Sequence, residues 1–578
     1  MVLIQSLRAA GYDPYFYDID CLRPKFEEVV RFFEDKKPDF VGISAVVSTA
    51  YAYTKRLTAA IRKVSPHTKI VVGGNLAASS EMLLRLCEVD VCAIGEGEKV
   101  IVNLTKHWES QNERSGSYSE LKHIKGISYL DEDSNMIFTG YDTAIPASEF
   151  LDPDFSILEQ FSDIDQYIND PLHRYDFAND PRSYEPHRLG KKLAVINSAK
   201  GCVARCTFCH RWDRGYRHWD VDRIIENIQH LMDQYNVGFL AFGDENFGSD
   251  RKKLDYLIER LATLDILYKV GGVRVASVDL DLLHRMKKSG CVGMYYGIES
   301  GSPDILQIME KNASLEQNIN AAKWTYEAGL YTVYQLVLGM PGENHKTIAQ
   351  TAEFLKQVTE FLPGPPSKRL SINYIQALPG TPIYEYARNI GEIGSTLEDE
   401  ERYLMQISDT NAADDTKFLN FTEYDYFTVQ SWRPRIVFDV EAHWYRNRGW
   451  KSVNTERSVS SVNVELPESE ADEDYSRGGY FNLGHTFFIR HPLFYRTLSN
   501  PLGYPFRVVY PAAYVLAKDL KKLPKKLMLK YIWQFFSFKI KGRRSFKENR
   551  SLRRVMKDRA VPPSTVSEES MQPLRDGR

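Results

Sequence analysis

At 578 residues the chain exceeds one hydrophobic core, and roughly two to four domains are expected. Its 43% hydrophobic and 12% aromatic content excludes a disordered chain, and no apolar run approaches the ~18 residues of a membrane span. The net charge of −3 conceals an asymmetry: residues 518–559 carry sixteen Lys/Arg against three acids, a local +13, which leaves −16 for the remainder. Seven cysteines without an even disulfide framework point to a reducing compartment. The opening MVLIQSLRAAGY lacks the basic, apolar and cleavage regions of a signal peptide, so the cytoplasm is the expected location.

Residues 1–108 alternate between helical and extended patterns. Helices are predicted over 2–10, 26–33, 51–64 and 82–87, and strands over 14–19, 39–47, 69–72 and 89–94. Such alternation predicts a doubly wound parallel sheet, with ligands at the carboxyl ends of its strands. Ser44 and Ser48, the turn Gly73-Gly74-Asn75, and Gly95-Glu96 fall at those ends. Paired glycines let a bulky ligand lie against the backbone, although plain turn glycines in a flavodoxin-like domain would read the same way. The order and spacing resemble the cobalamin-binding domain of methionine synthase and the mutases. They resemble more closely the variant fused ahead of radical S-adenosylmethionine (radical SAM) domains, where a strand ending Gly-Glu-Gly-Glu is usual. That resemblance implies cobalamin contacts from Ser44, Ser48, Gly73, Gly74, Asn75, Gly95 and Glu96. Met1 falls in the helix after the family's first strand, so that strand and its Asp-x-His-x-x-Gly loop are absent from this sequence. No histidine ligand to cobalt is expected, and His67 reads as a solvent-facing loop residue.

Residues 109–190 read as a connector, with a hairpin turning at 131–135 and Pro-containing segments near Pro146, Pro153 and Pro171. From 191 to 393, six strands are predicted, over 193–197, 238–242, 268–275, 293–299, 332–338 and 370–376, with helices between them. One helix carries Val221, Ile224, Ile225, Ile228, Leu231 and Met232 on a single stripe, with Asp220 as its N-cap. After the first strand comes NSAKGCVARCTFCHRW, which spaces Cys202, Cys206 and Cys209 as Cys-x3-Cys-x2-Cys. Three thiolates this close on one loop can converge on one metal centre. Structural zinc usually takes four protein ligands, and no fourth Cys or paired His follows at finger-like spacing. A zinc site completed by His210 and a set of unrelated thiols are the plain alternatives. A 4Fe–4S cluster held by three cysteines leaves one iron open to a small molecule.

The triplet, with Phe208 directly before its last cysteine, resembles the radical SAM signature, and the βα repeats resemble that family's partial (β/α)6 barrel. Chemistry in such barrels belongs at the carboxyl ends of the strands. The resemblance implies a 4Fe–4S cluster on Cys202, Cys206 and Cys209, with S-adenosylmethionine at the open iron as the source of a 5′-deoxyadenosyl radical. It further implies S-adenosylmethionine contacts from Gly243, Asp244 and Glu245 after the second strand, from Glu299 and Ser300 after the fourth, and from Gly339 after the fifth. Any one of these acids and glycines could equally cap a helix. Asn373 and the turn Pro379-Gly380-Thr381-Pro382 close the sixth strand. Arg274 suits a bidentate carboxylate contact or a structural ion pair, and Cys291 reads as a core residue. Cys21, Cys87 and Cys92 have no partners at metal spacing.

Residues 394–578 hold no motif with known mechanics. Trp432, Trp444, Trp450, Phe487, Phe488, Phe494 and Tyr495 imply packing, 465–474 reads as an acidic loop, and the stretch from Thr565 is expected to be disordered. Between them, KKLPKKLMLKYIWQFFSFKIKGRRSFK suits either an anionic membrane surface or a helix packed on its own protein. Basic charge with aromatics also serves nucleic acid, a partner not expected here. Residues 1–390 together resemble the cobalamin-dependent radical SAM enzymes. The expected fold is α/β: a doubly wound, Rossmann-like cobalamin-binding domain, a partial (β/α)6 barrel, then a family-specific C-terminal region over 394–578. The expected cofactors are a 4Fe–4S cluster, S-adenosylmethionine and cobalamin, which carry the chemistry, so no protein acid or base is named. The resemblance implies functionalisation of an unactivated carbon, first as C-methylation through methylcobalamin. Oxidative ring closure, as in the anaerobic magnesium-protoporphyrin ester cyclase branch, is the second reading, and a cobalamin sensor without turnover is the third. Expected partners are a small-molecule or lipid-like substrate, a low-potential donor such as flavodoxin or ferredoxin, and a membrane periphery met by the basic segment.

Overall fold

The structure, a computed structural model, describes residues 1–46, 48–110, 118–210, 215–364, 366–408, 417–448 and 525–541. Trp450, Phe487, Phe488, Phe494, Tyr495, the acidic stretch 465–474 and the expected disorder from Thr565 lie outside the described residues. Strands β1 (Phe40–Ser44), β2 (Lys69–Gly73) and β3 (Val91–Ala93) pair in parallel, in that order. The central strand is apolar on both faces because both are covered. Ile70 packs with Val29 and Phe33 of the Phe26–Lys36 helix and with Leu57 and Ile61 of the Tyr51–Val64 helix. Val71 packs on the opposite face with Val100 and Leu104 of the Gly97–Ser110 helix. The connector hairpin, β4 (Ile127–Leu130) and β5 (Met136–Phe138), adds to β3 in antiparallel sense. This sheet therefore has five strands and spans the first segment and part of the connector.

The predicted strand over 14–19 does not form; its aromatic run favours extended backbone, but a buried carboxylate overrides it. Asp18 is 5% exposed, caps the Ile19–Leu22 helix by accepting from Cys21 N, and accepts from Ser162 Oγ at 2.6 Å and from the Tyr167 hydroxyl.

The remaining strands are β6 (Lys192–Ile196), β7 (Ala199–Lys200), β8 (Arg217–His218), β9 (Val237–Phe242), β10 (Leu267–Val273), β11 (Cys291–Glu299), β12 (Tyr334–Leu338) and β13 (Leu370–Tyr374). Six of them form one parallel sheet in the order β13-β12-β11-β10-β9-β6, and they are the six predicted ones, displaced by a few residues at most. The Val221–Tyr235 helix starts at the predicted cap, with Asp220 accepting from the amides of Asp222 and Arg223. The first sheet's carboxyl end and the barrel share one apolar core. Leu76 and Ala77 pack there with Met340, Ile375 and Ala377, and with Tyr403 and Leu404.

Beyond the barrel, the Tyr426–Arg448 helix buries Trp432 and Trp444 completely. Pro434 lies inside it and cannot donate to the carbonyl of Gln430. The Tyr374 hydroxyl, at the end of β13, donates to that carbonyl at 2.8 Å instead. The same ring starts a stack through Phe418 and Tyr426 to Tyr531, with successive centroids 4.3, 5.0 and 3.8 Å apart. The stack fixes the Lys525–Lys541 helix to the last barrel strand. No helix among the described residues is long and apolar enough to cross a membrane.

Tyr374→Phe keeps the stack but removes the hydroxyl that lies within hydrogen-bond reach of both the Val429 and Gln430 carbonyls. It should cost about 1–3 kcal/mol, read as a lower midpoint in chemical denaturation.

Candidate active site

The cysteine loop is closed at its base by the antiparallel pair β7–β8, which sets Lys200 opposite Arg217. Within it Cys202 is half-buried, Cys206 buried and Cys209 exposed. Thr207 is the fixed point of the loop. Its amide donates to Met309 O (2.9 Å), its hydroxyl donates to Ile308 O (3.1 Å), and its carbonyl accepts from Ile383 N (3.0 Å). Phe208 packs on the apolar core shared with the first sheet. The three thiols therefore share one anchored loop, but among the described residues no three Cys, His, Asp or Glu side chains form a group that could hold a metal ion. As a donor set, three thiols without a carboxylate suit iron–sulfur ligation. Burial pushes His210 down to about 4, leaving it neutral, and its ring packs against the Gly380 turn.

The predicted strand-end residues surround that loop. Asp244 is 5% exposed; its Oδ1 accepts from Ser198 N (2.9 Å), Ser198 Oγ (3.1 Å) and Ala199 N, while its Oδ2 has no hydrogen-bond partner among the described residues. Burial raises its pKa to about 6. Two residues on, Asn246 is 1% exposed, and neither amide atom is hydrogen-bonded among the described residues. Gly243 and Glu245 are exposed beside them. Gly272 (φ +65°) carries no side chain because a Cβ there would stand 2.3 Å from Asp244 O. Glu299 ends β11 in the left-handed region (φ +64°), a conformation that costs a non-glycine residue about 1–3 kcal/mol. It ion-pairs with Lys311 at 2.9 Å. Burial lowers the pKa of Lys311, but Glu299, together with the Cys206 and Cys209 sulfurs as thiolates, outweighs it and the net shift is upward. Ser300 is buried; its hydroxyl accepts from Ser302 N at 3.1 Å and shares a hydrogen bond with the Thr351 hydroxyl at 3.3 Å. Gly339 (φ +90°) donates its amide to Glu343, whose Oε1 has no hydrogen-bond partner among the described residues and whose pKa burial raises to about 8. Arg274 is half-buried at the end of β10, and among the described residues no carboxylate lies within ion-pair distance of it. Cys291 is a core thiol, as expected, with burial pushing it up to about 12.

On the first sheet, Ser44, Gly74, Gly73 and Asn75 present exposed or half-buried positions at neighbouring strand ends; the Ser48 side chain lies outside the described residues. Gly74 (φ +81°) seats its Cα against the loop after β1, where a Cβ would stand 2.5 Å from Ala45 O. Gly95 (φ +95°) opens onto space, with nothing within 4 Å of where a Cβ would stand. His67 is exposed in a turn. Glu96 is committed within the protein: it accepts from Ile145 N (2.7 Å) and Arg217 Nη1 (2.9 Å), and Lys200 lies 3.5 Å from it and 2.6 Å from Glu98. The segment expected to contact cobalamin thus grips both strands at the base of the cysteine loop. The two cofactor-facing ends meet at Gly380 (φ +81°). A Cβ there would stand 2.8 Å from His210 Nε2 and 3.0 Å from Ala78 Cβ, so the cysteine loop and the turn after β2 close on the same backbone.

A family model described as the radical SAM superfamily matches residues 196–355, and a B12 binding domain model matches residues 1–105. The chain thus carries a B12-binding domain followed by a radical SAM domain. Its cofactors are a 4Fe–4S cluster, S-adenosylmethionine and cobalamin. The anaerobic magnesium-protoporphyrin IX monomethyl ester cyclase of Cereibacter sphaeroides is 29% identical over 361 residues, 60% of this chain and 54% of that protein. The chain thus spans somewhat over half the length of the curated relatives it matches first, at 54% and 59%. Among solved structures, the radical S-adenosylmethionine methyltransferase TsrM from Kitasatospora setae, with cobalamin and a 4Fe–4S cluster bound, aligns with TM-score 0.53 and 15% identity, over 68% of this chain and 75% of that one. The cobalamin-dependent S-adenosylmethionine radical enzyme OxsB in its apo form aligns with TM-score 0.57 and 15% identity, over 96% and 80%. At these identities the structural likeness establishes the fold.

The residues of the chain fit these cofactors on local grounds: a soft trio of thiols, a Gly73-Gly74 turn bare of side chains, and unsatisfied buried polar atoms at Asp244 and Asn246. Sequence reasoning missed Asn246, Lys200, Arg217 and Lys311. Asn246 stands two residues after a chosen acid and was within reach of the same strand-end argument. The other three carry no local signal, because their roles depend on partners about a hundred residues away or on a turn of the chain.

Glu96→Gln leaves the largely buried Arg217 without its carboxylate and should destabilise the apoprotein by about 3–5 kcal/mol, with Glu98→Gln milder; thermal melts compare the two. Glu343 gives a pH signature. The folded protein keeps it protonated up to about pH 8, while the unfolded chain ionises it near 4.5, so stability declines as pH rises through that window. Glu343→Gln should remove the decline, matching wild type in acid and exceeding it above about pH 8 in denaturation midpoints.

Proposed function

We propose that this protein methylates an unactivated carbon of a small-molecule or lipid-like substrate, drawing electrons from a low-potential donor such as flavodoxin or ferredoxin. The observation that carries this reading is the meeting at Gly380, where the B12-binding turn and the cysteine loop close on one backbone. When bound, the cluster with S-adenosylmethionine supplies hydrogen-atom abstraction, and cobalamin supplies methyl transfer. The chain's own residues bind and orient. Cys202, Cys206 and Cys209 offer the cluster ligands on a loop held by Thr207. Asp244 Oδ2 and Asn246 offer an acceptor and an amide at the rim, placed for the amino-acid end of S-adenosylmethionine. Glu299 and Gly339 line the neighbouring strand ends, and Ser44, Gly73, Gly74, Asn75 and Gly95 offer a side-chain-poor face to cobalamin.

A second reading, oxidative ring closure, is favoured by the cyclase relative at 29% identity. It uses the same residues and differs only in product.

The deciding experiment uses protein reconstituted anaerobically with iron, sulfide, cobalamin and reductant. 5′-Deoxyadenosine and S-adenosylhomocysteine are quantified together on adding S-adenosylmethionine and candidate substrates. Methylation predicts comparable, substrate-dependent amounts of both. Deoxyadenosine alone would replace it with the cyclase reading. Cys206→Ala should abolish both products, and a cellular function that survives this substitution would return the sensor reading.

A further inference from the structure

We propose that the Lys525–Lys541 helix docks the protein on the surface of an anionic lipid bilayer. The helix has two apolar faces. Met528, Tyr531, Ile532 and Phe535 turn inward, where they pack on the barrel-side core and Tyr531 stacks on Tyr426. Leu529, Trp533, Phe536 and Ile540 recur at helical spacing on another face and are 66%, 66%, 59% and 81% exposed. Four large apolar side chains in one stripe, on a helix already fixed by its other face, make a surface that water solvates poorly. Lys525 and Lys530 are exposed on the same helix, and the surrounding residues 518–559 carry a net +13. A linear apolar stripe within so basic a segment matches a bilayer, which offers apolar depth and negative charge in one plane. An acidic protein partner would answer the charge but not a stripe four side chains long. The helix is also too short and too charged to cross a membrane, so the mode is lateral.

The docking does not depend on which reaction the barrel carries out. The test is co-sedimentation of the full chain with sucrose-loaded vesicles, of phosphatidylcholine alone or mixed with phosphatidylglycerol. Binding to the mixed vesicles only, weakened by salt, is expected. Phe536→Asp/Ile540→Asp should abolish it, and Lys525→Glu/Lys530→Glu should lower it by about fivefold or more per lysine. Unchanged denaturation midpoints would show that both variants remain folded. Absence of binding, or equal binding by the variants, overturns the proposal. So does a stripe that serves self-association, seen as a dimer that Phe536→Asp/Ile540→Asp converts to monomer without any vesicle binding. Capture of ferredoxin in place of vesicles overturns it as well.

Discussion

The structure depends on how the cysteine loop is held. A loop that must present three thiols cannot satisfy its own backbone by regular pairing, so its order has to come from outside. Three anchors supply it: the β7–β8 pair at its base, the hydrogen bonds of Thr207 in its middle, and the packing of His210 on Gly380 at its end. Thr207 is fully buried, so its bonds to Met309 and Ile383 form away from water and tie the loop to elements that follow β11 and β13. The base is gripped differently. Lys200 and Arg217 face each other across the ladder, and like charges so placed repel unless an anion stands between them. Glu96 and Glu98 supply that charge from the B12-binding domain. Cofactor loop and cofactor domain are therefore set by one ionic joint.

The interface around that joint resembles a core more than a hinge. Leu76 and Ala77 are fully buried against Met340, Ile375 and Ala377, and Tyr51 reaches Glu401 with its hydroxyl at 2.8 Å. A large apolar contact of this kind resists relative domain motion, which small polar interfaces permit. Glycine makes the closeness possible. At Gly74 and Gly380 the backbone is left-handed and a Cβ would meet Ala45 or His210. Both positions therefore need a residue without a side chain for two separate reasons.

The barrel was legible because its strands are short runs between turn residues, continuously apolar where both faces are buried, as in β9, and alternating where one face is, as in β12 and β13. The Asp220 cap and the Val221–Tyr235 stripe were legible for the same local reason. Residues 14–19 were not, since the aromatic run there signals a strand while Asp18 takes its donors from Ser162 and Tyr167, far along the chain. The hairpin at 131–135 could be read as a hairpin, but its attachment to β3 could not, because edge pairing leaves no mark in the paired segment. Of the candidate site, the cysteines and strand-end acids were visible as residues. What each acid does was hidden, because Glu96, Asp244, Glu299 and Glu343 look alike in sequence and differ only in what surrounds them.

Those surroundings separate joint from site. Glu96 has a partner for each oxygen and sits between two cations, the arrangement by which a protein spends a charge on its own assembly. Asp244 and Asn246 are more deeply buried yet leave polar atoms unmet, and such omissions cost about 1–3 kcal/mol each in a folded chain. A fold gains nothing from that cost unless something else completes the hydrogen bonds. The strained backbone of Glu299 falls on the same rim, where left-handed geometry at a non-glycine residue is again maintained against local preference. Glu96 is satisfied on both oxygens at the domain joint, whereas Asp244, Asn246 and Glu343 leave polar atoms unmet around the mouth of the barrel. The second pattern marks where a polar ligand belongs, and it does so from the chain's own energetics.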